Sequence, residues 1–213
     1  MEVVPLPVAY PVIFDVPRPE KFERPQVALR ILVTLLLTAV AGAVGWIFGV
    51  FYLAVPVLAA VLISQGTAAD YFKDTRMPMV LRWYLALYCY LAVLIDRFPT
   101  DEPEKIITLE VRPAGEPTVG SALMRLILSI PSAVVLVILS VIGVLIWVIA
   151  VVSILIRENY ADGLYSFQLG IMRWQARLLA YHASLVDEYP PFAIDGGHET
   201  APPATPPGAP ETA

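Results

Sequence analysis

The stretch ILVTLLLTAVAGAVGWIFGVFYLAVPVLAAVLIS, residues 31–64, contains no Asp, Glu, Lys, Arg or His. A second stretch, LILSIPSAVVLVILSVIGVLIWVIAVVSILI, residues 126–156, is of the same kind. Apolar runs longer than roughly 18 residues read as membrane-spanning. They sit in a chain of 213 residues that is 58% hydrophobic and only 15% charged, with a mean hydropathy of +0.70. A soluble domain carries about 25% charged residues, so this composition argues against an ordinary soluble globule and against a disordered regulator. A single cysteine, Cys89, cannot form an intramolecular disulfide and reads as a buried, inert thiol. The net charge of −5 leaves no basic footprint for nucleic acid. His182 and His198 are far apart and outside any metal-ligand spacing, so neither a metal nor another cofactor is expected.

The chain also aligns with itself. VIFDV at 12–16 matches ITLEV at 107–111, and ALR ending at Arg30 matches LMR ending at Arg125, both at an offset of 95. TAAD ending at Asp70 then matches NYAD ending at Asp162, LRW at 81–83 matches MRW at 172–174, and LIDRFP at 94–99 matches LVDEYP at 185–190, at offsets of 92, 91 and 91. An offset that drifts one way is what small deletions leave in a duplicated unit. The reading divides the chain into a strand-like segment and linker (1–26), a first membrane repeat (27–99), a strand-like linker (100–118), a second membrane repeat (119–192) and a disordered Pro-rich tail (193–213). The alternating stretches Val12–Val16 and Ile106–Val111 read as short strands that pair at the membrane surface.

One helix over residues 27–64 would be about 57 Å long, against a hydrocarbon core of about 30 Å. Each run is therefore expected to double back as a helical hairpin. Gly42 and Gly45 are turn candidates in the first run, although Gly45 and Gly49 also form a Gly-x-x-x-Gly spacing suited to close helix approach. Ser140 and Gly143 are the turn candidates in the second. Hairpins would place every cationic connector on one side, cytoplasmic by the positive-inside rule. The fold expected is an all-α integral membrane protein of two tandem hairpin repeats, each followed by an interfacial amphipathic helix, around 80–95 and 172–186. Whether the first of these helices crosses stays open. The N-terminal 26 residues, with six prolines, do not read as a signal peptide.

The segment NYADGLYSFQLGIMRWQARLLAYHASLVDEYPPF, residues 159–192, resembles the uncharacterised bacterial membrane family known as domain of unknown function 4389. That family has an apolar hairpin, a Tyr-Pro-x-Gly-Leu-Phe-x-Phe turn, an Arg-Trp helix and an Asp-x-Tyr-Pro-Pro-Phe close. Tyr160, Gly163, Leu164, Phe167, Gly170, Arg173, Trp174, Arg177, Tyr181, Asp187, Tyr189 and Pro190–Phe192 carry the match, while Ala161 stands where the family often has proline. The first repeat matches more loosely, at Arg82, Trp83, Asp96, Phe98 and Pro99. The resemblance implies a two-copy member in a bacterial cytoplasmic membrane and implies no activity.

Several residues are singled out. Arg82, Trp83, Arg173, Trp174 and Arg177 suit lipid headgroups or interfacial anchoring. Asp70, Asp162 and Gly163 lie in polar turns. Helix capping is the plainer reading for the two carboxylates, a shared proton or cation site the bolder one. Arg30 and Arg125 open the apolar runs and are expected to snorkel. No nucleophile–base set, phosphate loop or intramembrane carboxylate is visible. The sequence therefore points to a non-enzymatic membrane scaffold, accessory subunit or bilayer-shaping module. Its partners would be the lipid bilayer and another membrane protein or a second copy, with both termini cytoplasmic. The alternative is a lipid-handling or small-transport protein with an Arg/Trp-lined groove between the repeats.

Overall fold

The computed structural model describes residues 10–41, 44–100 and 102–194, with backbone alone between 37 and 48. Among these are seven α-helices and one two-stranded sheet. Gly42 and the tail beyond Ile194, on both of which expectations fell, lie outside the described residues.

Strands β1 (Val12–Asp15) and β2 (Thr108–Val111) pair antiparallel, with Phe14 opposite Leu109. This is the pairing that the alternation implied. Val12, Phe14 and Leu109 turn inward and are buried, while Asp15, Thr108 and Glu110 face outward. Beneath the sheet lie α4 (Arg76–Leu91) and α7 (Asp162–His182). They run antiparallel: the Gln175 amide donates to Tyr84 Oη at 3.2 Å, and Tyr165 Oη donates to the carbonyl of Leu94 at 3.1 Å. Under them is a third layer of α1 (Arg24–Ala41), α2 (Val44–Ile63), α5 (Val119–Leu128) and α6 (Ile130–Arg157). Here α1 lies along the C-terminal half of α6, with Arg24 Nη2 donating to the carbonyl of Ile156. Similarly α2 packs on α5, with Tyr52 Oη reaching the carbonyl of Leu126 and Ser129 Oγ. The short α3 (Ala68–Lys73) links α2 to α4.

The first apolar run forms two helices, α1 and α2, with Gly45 inside the second. In the second run the expected turn does not occur. Ser140 and Gly143 lie within α6, a single helix of 28 residues, about 42 Å long. Ser140 donates to the carbonyl of Leu136 one turn back. Gly143 gives a close approach to α7, since a Cβ there would lie 3.2 Å from Gln168 Oε1 and 3.5 Å from Ile171 Cδ1. The break comes instead at Ser129, where Pro131 lacks the N–H that would continue the ladder. The tandem-hairpin expectation is corrected accordingly for the second half. Among the described residues α6 is the one helix long and apolar enough to cross a membrane.

A second correction concerns α7, expected as an interfacial amphipathic helix. Residues 168–186 are all buried except Arg173. Arg173, Gln175 and Arg177 of α7 hydrogen-bond inside the protein, so the helix serves as the central beam between the sheet and α6. The outer surface of the third layer is the apolar one: Leu35 is 61% exposed, Leu53 60%, Val141 64% and Ile156 67%.

Candidate functional site

The seventh residue of α1 is Arg30 and the seventh of α5 is Arg125. Neither snorkels: they are 0% and 5% exposed. Arg30 donates through Nη2 to the carbonyl of Ile95 and to Asp96 Oδ1, the latter at 2.9 Å, and its guanidinium stacks 4.9 Å over Tyr90. Arg125 donates to the carbonyls of Val186 and Tyr181 and to Asp187, and stacks 4.5 Å over Tyr181. The acceptors and rings in one cluster stand 91 residues from those in the other. Arg125 uses two nitrogens of its planar guanidinium and Arg30 uses one, and each arginine fastens the start of an apolar helix to the chain leaving α4 or α7.

The helix ends so fastened also match. After α4, Leu94 N–H bonds to the carbonyl of Cys89 and Val93 N–H to that of Tyr90, while Leu185 and Ser184 do the same to Ala180 and Tyr181 after α7. This is a Schellman close. It puts Val93 and Ser184 at φ of 63° and 58°, in the left-handed region that usually takes glycine. Farther along, Trp147 donates to the carbonyl of Leu91 at 2.8 Å, and His182 Nε2 to that of Tyr52 at 2.6 Å, with Ser129 Oγ 2.9 Å from His182 Nδ1.

The residues assigned from sequence to lipid headgroups do not meet in one groove. Arg82 of α4 donates to the carbonyl of Leu109 in β2, while Arg173 of α7 donates to the carbonyl of Phe14 and to Asp15 in β1. Each arginine thus holds the strand belonging to the other half of the sequence. Trp174 is buried against Leu136, Ile171 and Leu178, and Arg177 is 3% exposed and donates to the carbonyl of Ala193. Of the five, Trp83 is the one left exposed, at 37%. The placements of Arg82 and Arg173 follow from the sheet covering α4 and α7, a tertiary fact that the helical periodicity does not carry.

Asp70 is the third residue of α3. It accepts from Thr67 N–H at 2.9 Å and from Thr67 Oγ1 at 2.7 Å, and Thr67 in turn caps Asp70 N–H. The Thr67 hydroxyl and N–H hold its carboxyl below the usual carboxylate range. Asp162 opens α7 and pairs with Arg18 at 2.7 Å, at the opposite end of α7 from Asp70, whose neighbour Tyr71 donates to the carbonyl of Ala183. Nothing lies within 4 Å of a Cβ placed at Gly163. Glu158 ends α6, held in its charged form chiefly by the hydrogen bond from Lys21. No group of three or more His, Cys, Asp or Glu among the described residues could hold a metal ion.

Sequence reasoning missed the paired clamps. The signal was present: each aligned half contains one arginine entering its apolar run and one aspartate in its closing Asp-x-aromatic-Pro.

No curated protein and no solved structure significantly matches the chain. A family model does match over residues 120–193, which span α5, α6, α7 and the Asp187–Phe192 close. That segment, which holds Arg125 and its acceptors, is similar to the family described as Domain of unknown function (DUF4389), and the similarity supports that family for the second half of the molecule.

Proposed function

We propose that this protein is a non-enzymatic membrane module of a bacterial cytoplasmic membrane, built from two copies of one unit. It beds in lipid by the outer face of α1, α2, α5 and α6. It offers its sheet side to another membrane protein or to a second copy, as a scaffold or accessory subunit, and the bedded helices would also shape the leaflet locally.

One observation carries the reading: apolar and polar surfaces are segregated by layer. Leu35, Leu53, Val141 and Ile156 lie on one outer face, and Asp15, Thr108 and Glu110 on the other. Contiguous exposed apolar surface of this kind marks a membrane or protein contact. Its breadth along α6 suits hydrocarbon, which wets a helix on every side left open.

The same layering favours helices that lie along the bilayer over helices that cross it. Leu136 of α6 packs on Trp174 and Leu178, and Gly143 packs on Gln168 and Ile171, so α6 and α7 run side by side. Midway along α7, Arg173 holds β1. If α6 and α7 crossed together, that strand, with Asp15 and Glu110 beside it, would sit in hydrocarbon, where unpaired backbone and charge are costly. Bedding by one face keeps the sheet in water and leaves all cationic connectors on one side of the bilayer.

Flotation of the purified full chain with phosphatidylethanolamine/phosphatidylglycerol vesicles tests this. The expected result is co-flotation that survives alkaline washing. In such vesicles Lys73→Cys, Glu104→Cys and Asn159→Cys should all react with an impermeant maleimide from the same side, the buried Cys89 remaining unlabelled. Protein left in the aqueous fraction, or labelling of these sites from opposite sides, would overturn the proposal.

A further inference from the structure

Between α6 and the α4/α7 layer lies a cavity of about 270 Å³, lined by residues including Ser140, Gly143, Trp147 and Gln168. A second, of about 290 Å³, adjoins it through Tyr88, Ser140 and Val144 and reaches Val137 and Val141 on the apolar outer face. Together they form a channel from that face toward α7. Its length and apolar walls fit a narrow, unbranched chain rather than a compact polar metabolite.

The inner end has one unmet polar demand. Trp147 Nε1–H is committed to the carbonyl of Leu91, and the Ser140 hydroxyl to that of Leu136. Gln168 is 7% exposed, and its amide oxygen is buried without a hydrogen-bond partner. An acceptor left so in apolar surroundings is unfavourable until a donor meets it. The last torsion of a glutamine is soft, so either end of its amide can turn to the cavity wall. No cationic side chain lines either cavity, so a carboxylate or phosphate brought here would lose its hydration without a counter-charge.

We propose that this channel is a binding site for a neutral, single-chain amphiphile whose terminal hydroxyl donates to Gln168 Oε1 and whose hydrocarbon tail lies along α6 toward Val137 and Val141. The site is carried by the cavity and the unmatched amide, and it does not depend on how the protein meets a bilayer.

Binding can therefore be measured on the full chain in detergent, apart from any vesicle experiment. The probes are oleyl alcohol, its methyl ether and oleate, each displacing a bound brominated alcohol that quenches Trp147. Oleyl alcohol should bind about tenfold more tightly than the ether, the worth of one hydrogen bond to an otherwise unpaired buried acceptor, and oleate should bind least. Gln168→Leu should bring alcohol and ether to the same affinity while retaining both, which also reports an intact cavity. Gly143→Leu, which fills the inner end, should abolish binding of both. Equal affinities for alcohol and ether in the native protein would overturn the role of Gln168. Undiminished binding to a folded Gly143→Leu protein would overturn the site.

Discussion

At the scale of single residues the molecule depends on Arg30 and Arg125, two of the three arginines buried among the described residues. Arg30 has no exposed surface, and its carboxylate partner Asp96 is only 13% exposed. Removing the charge of one member strands the other in low dielectric, which costs about 3–5 kcal/mol. Asp96→Asn should therefore lower the denaturant midpoint strongly. Lys21→Ala, which breaks the exposed pair with Glu158, should move the midpoint little. Equal effects in a chemical denaturation series would refute the distinction. Arg30→Lys should lower the midpoint less than Asp96→Asn, because both bonds come from the one nitrogen Nη2 and an ammonium keeps the charge that Asp96 pairs with. Ser184 offers the opposite sign. Its φ of 58° is unfavourable for a residue with a Cβ, and its buried hydroxyl has no partner. Ser184→Gly should stabilise the fold by about 1 kcal/mol, read as a higher midpoint.

At the scale of elements, α3 is the piece whose persistence depends on pH. The Asp70 carboxyl is held below its ordinary value by Thr67. Its contribution to the cap is thus fully present above the ordinary carboxylate range and is lost as pH falls through the lowered value. Amide exchange at Tyr71, corrected for its intrinsic pH dependence, should accelerate at that acid limb, and in Thr67→Ala it should already be fast at neutral pH. The same scale shows what the sequence could and could not disclose. The strand pairing was legible because Val12–Val16 and Ile106–Val111 alternate. The matched closes at Asp96 and Asp187 were legible because their flanking aromatics and prolines align. The path of the second apolar run was not. Leu, Ile and Val fill every face of it, so no periodicity marks where a helix bends, and Gly143 serves close approach to Gln168 rather than a turn. The partners of Arg82 and Arg173 were equally hidden, because the sheet that receives them is assembled from segments some 95 residues apart.

At the scale of the whole molecule, the two halves are interlocked. Arg82 in the first half grips β2, Arg173 in the second grips β1, and Tyr71 of α3 donates to the carbonyl of Ala183 beyond α7. A protease site placed in the linker near Thr100, away from β2, should therefore yield two fragments that co-elute in mild detergent and separate only in denaturant. Fragments that part at once would show that the shared sheet contributes little. Arg82→Ala and Arg173→Ala should each weaken this association, and the pair together should do more than either alone, since they act on adjoining strands of one ladder.

The position of β1 also has a consequence during synthesis. The strand leaves the ribosome well ahead of the helix it must lie on and the arginine that fastens it, which are made about 160 residues later. At translation speeds of about 5–20 residues per second, that interval is roughly ten to thirty seconds. Throughout it, an unpaired edge and a greasy helical surface wait together, so the nascent chain needs shelter from an early docking to lipid or from a chaperone until its own C-terminal half arrives.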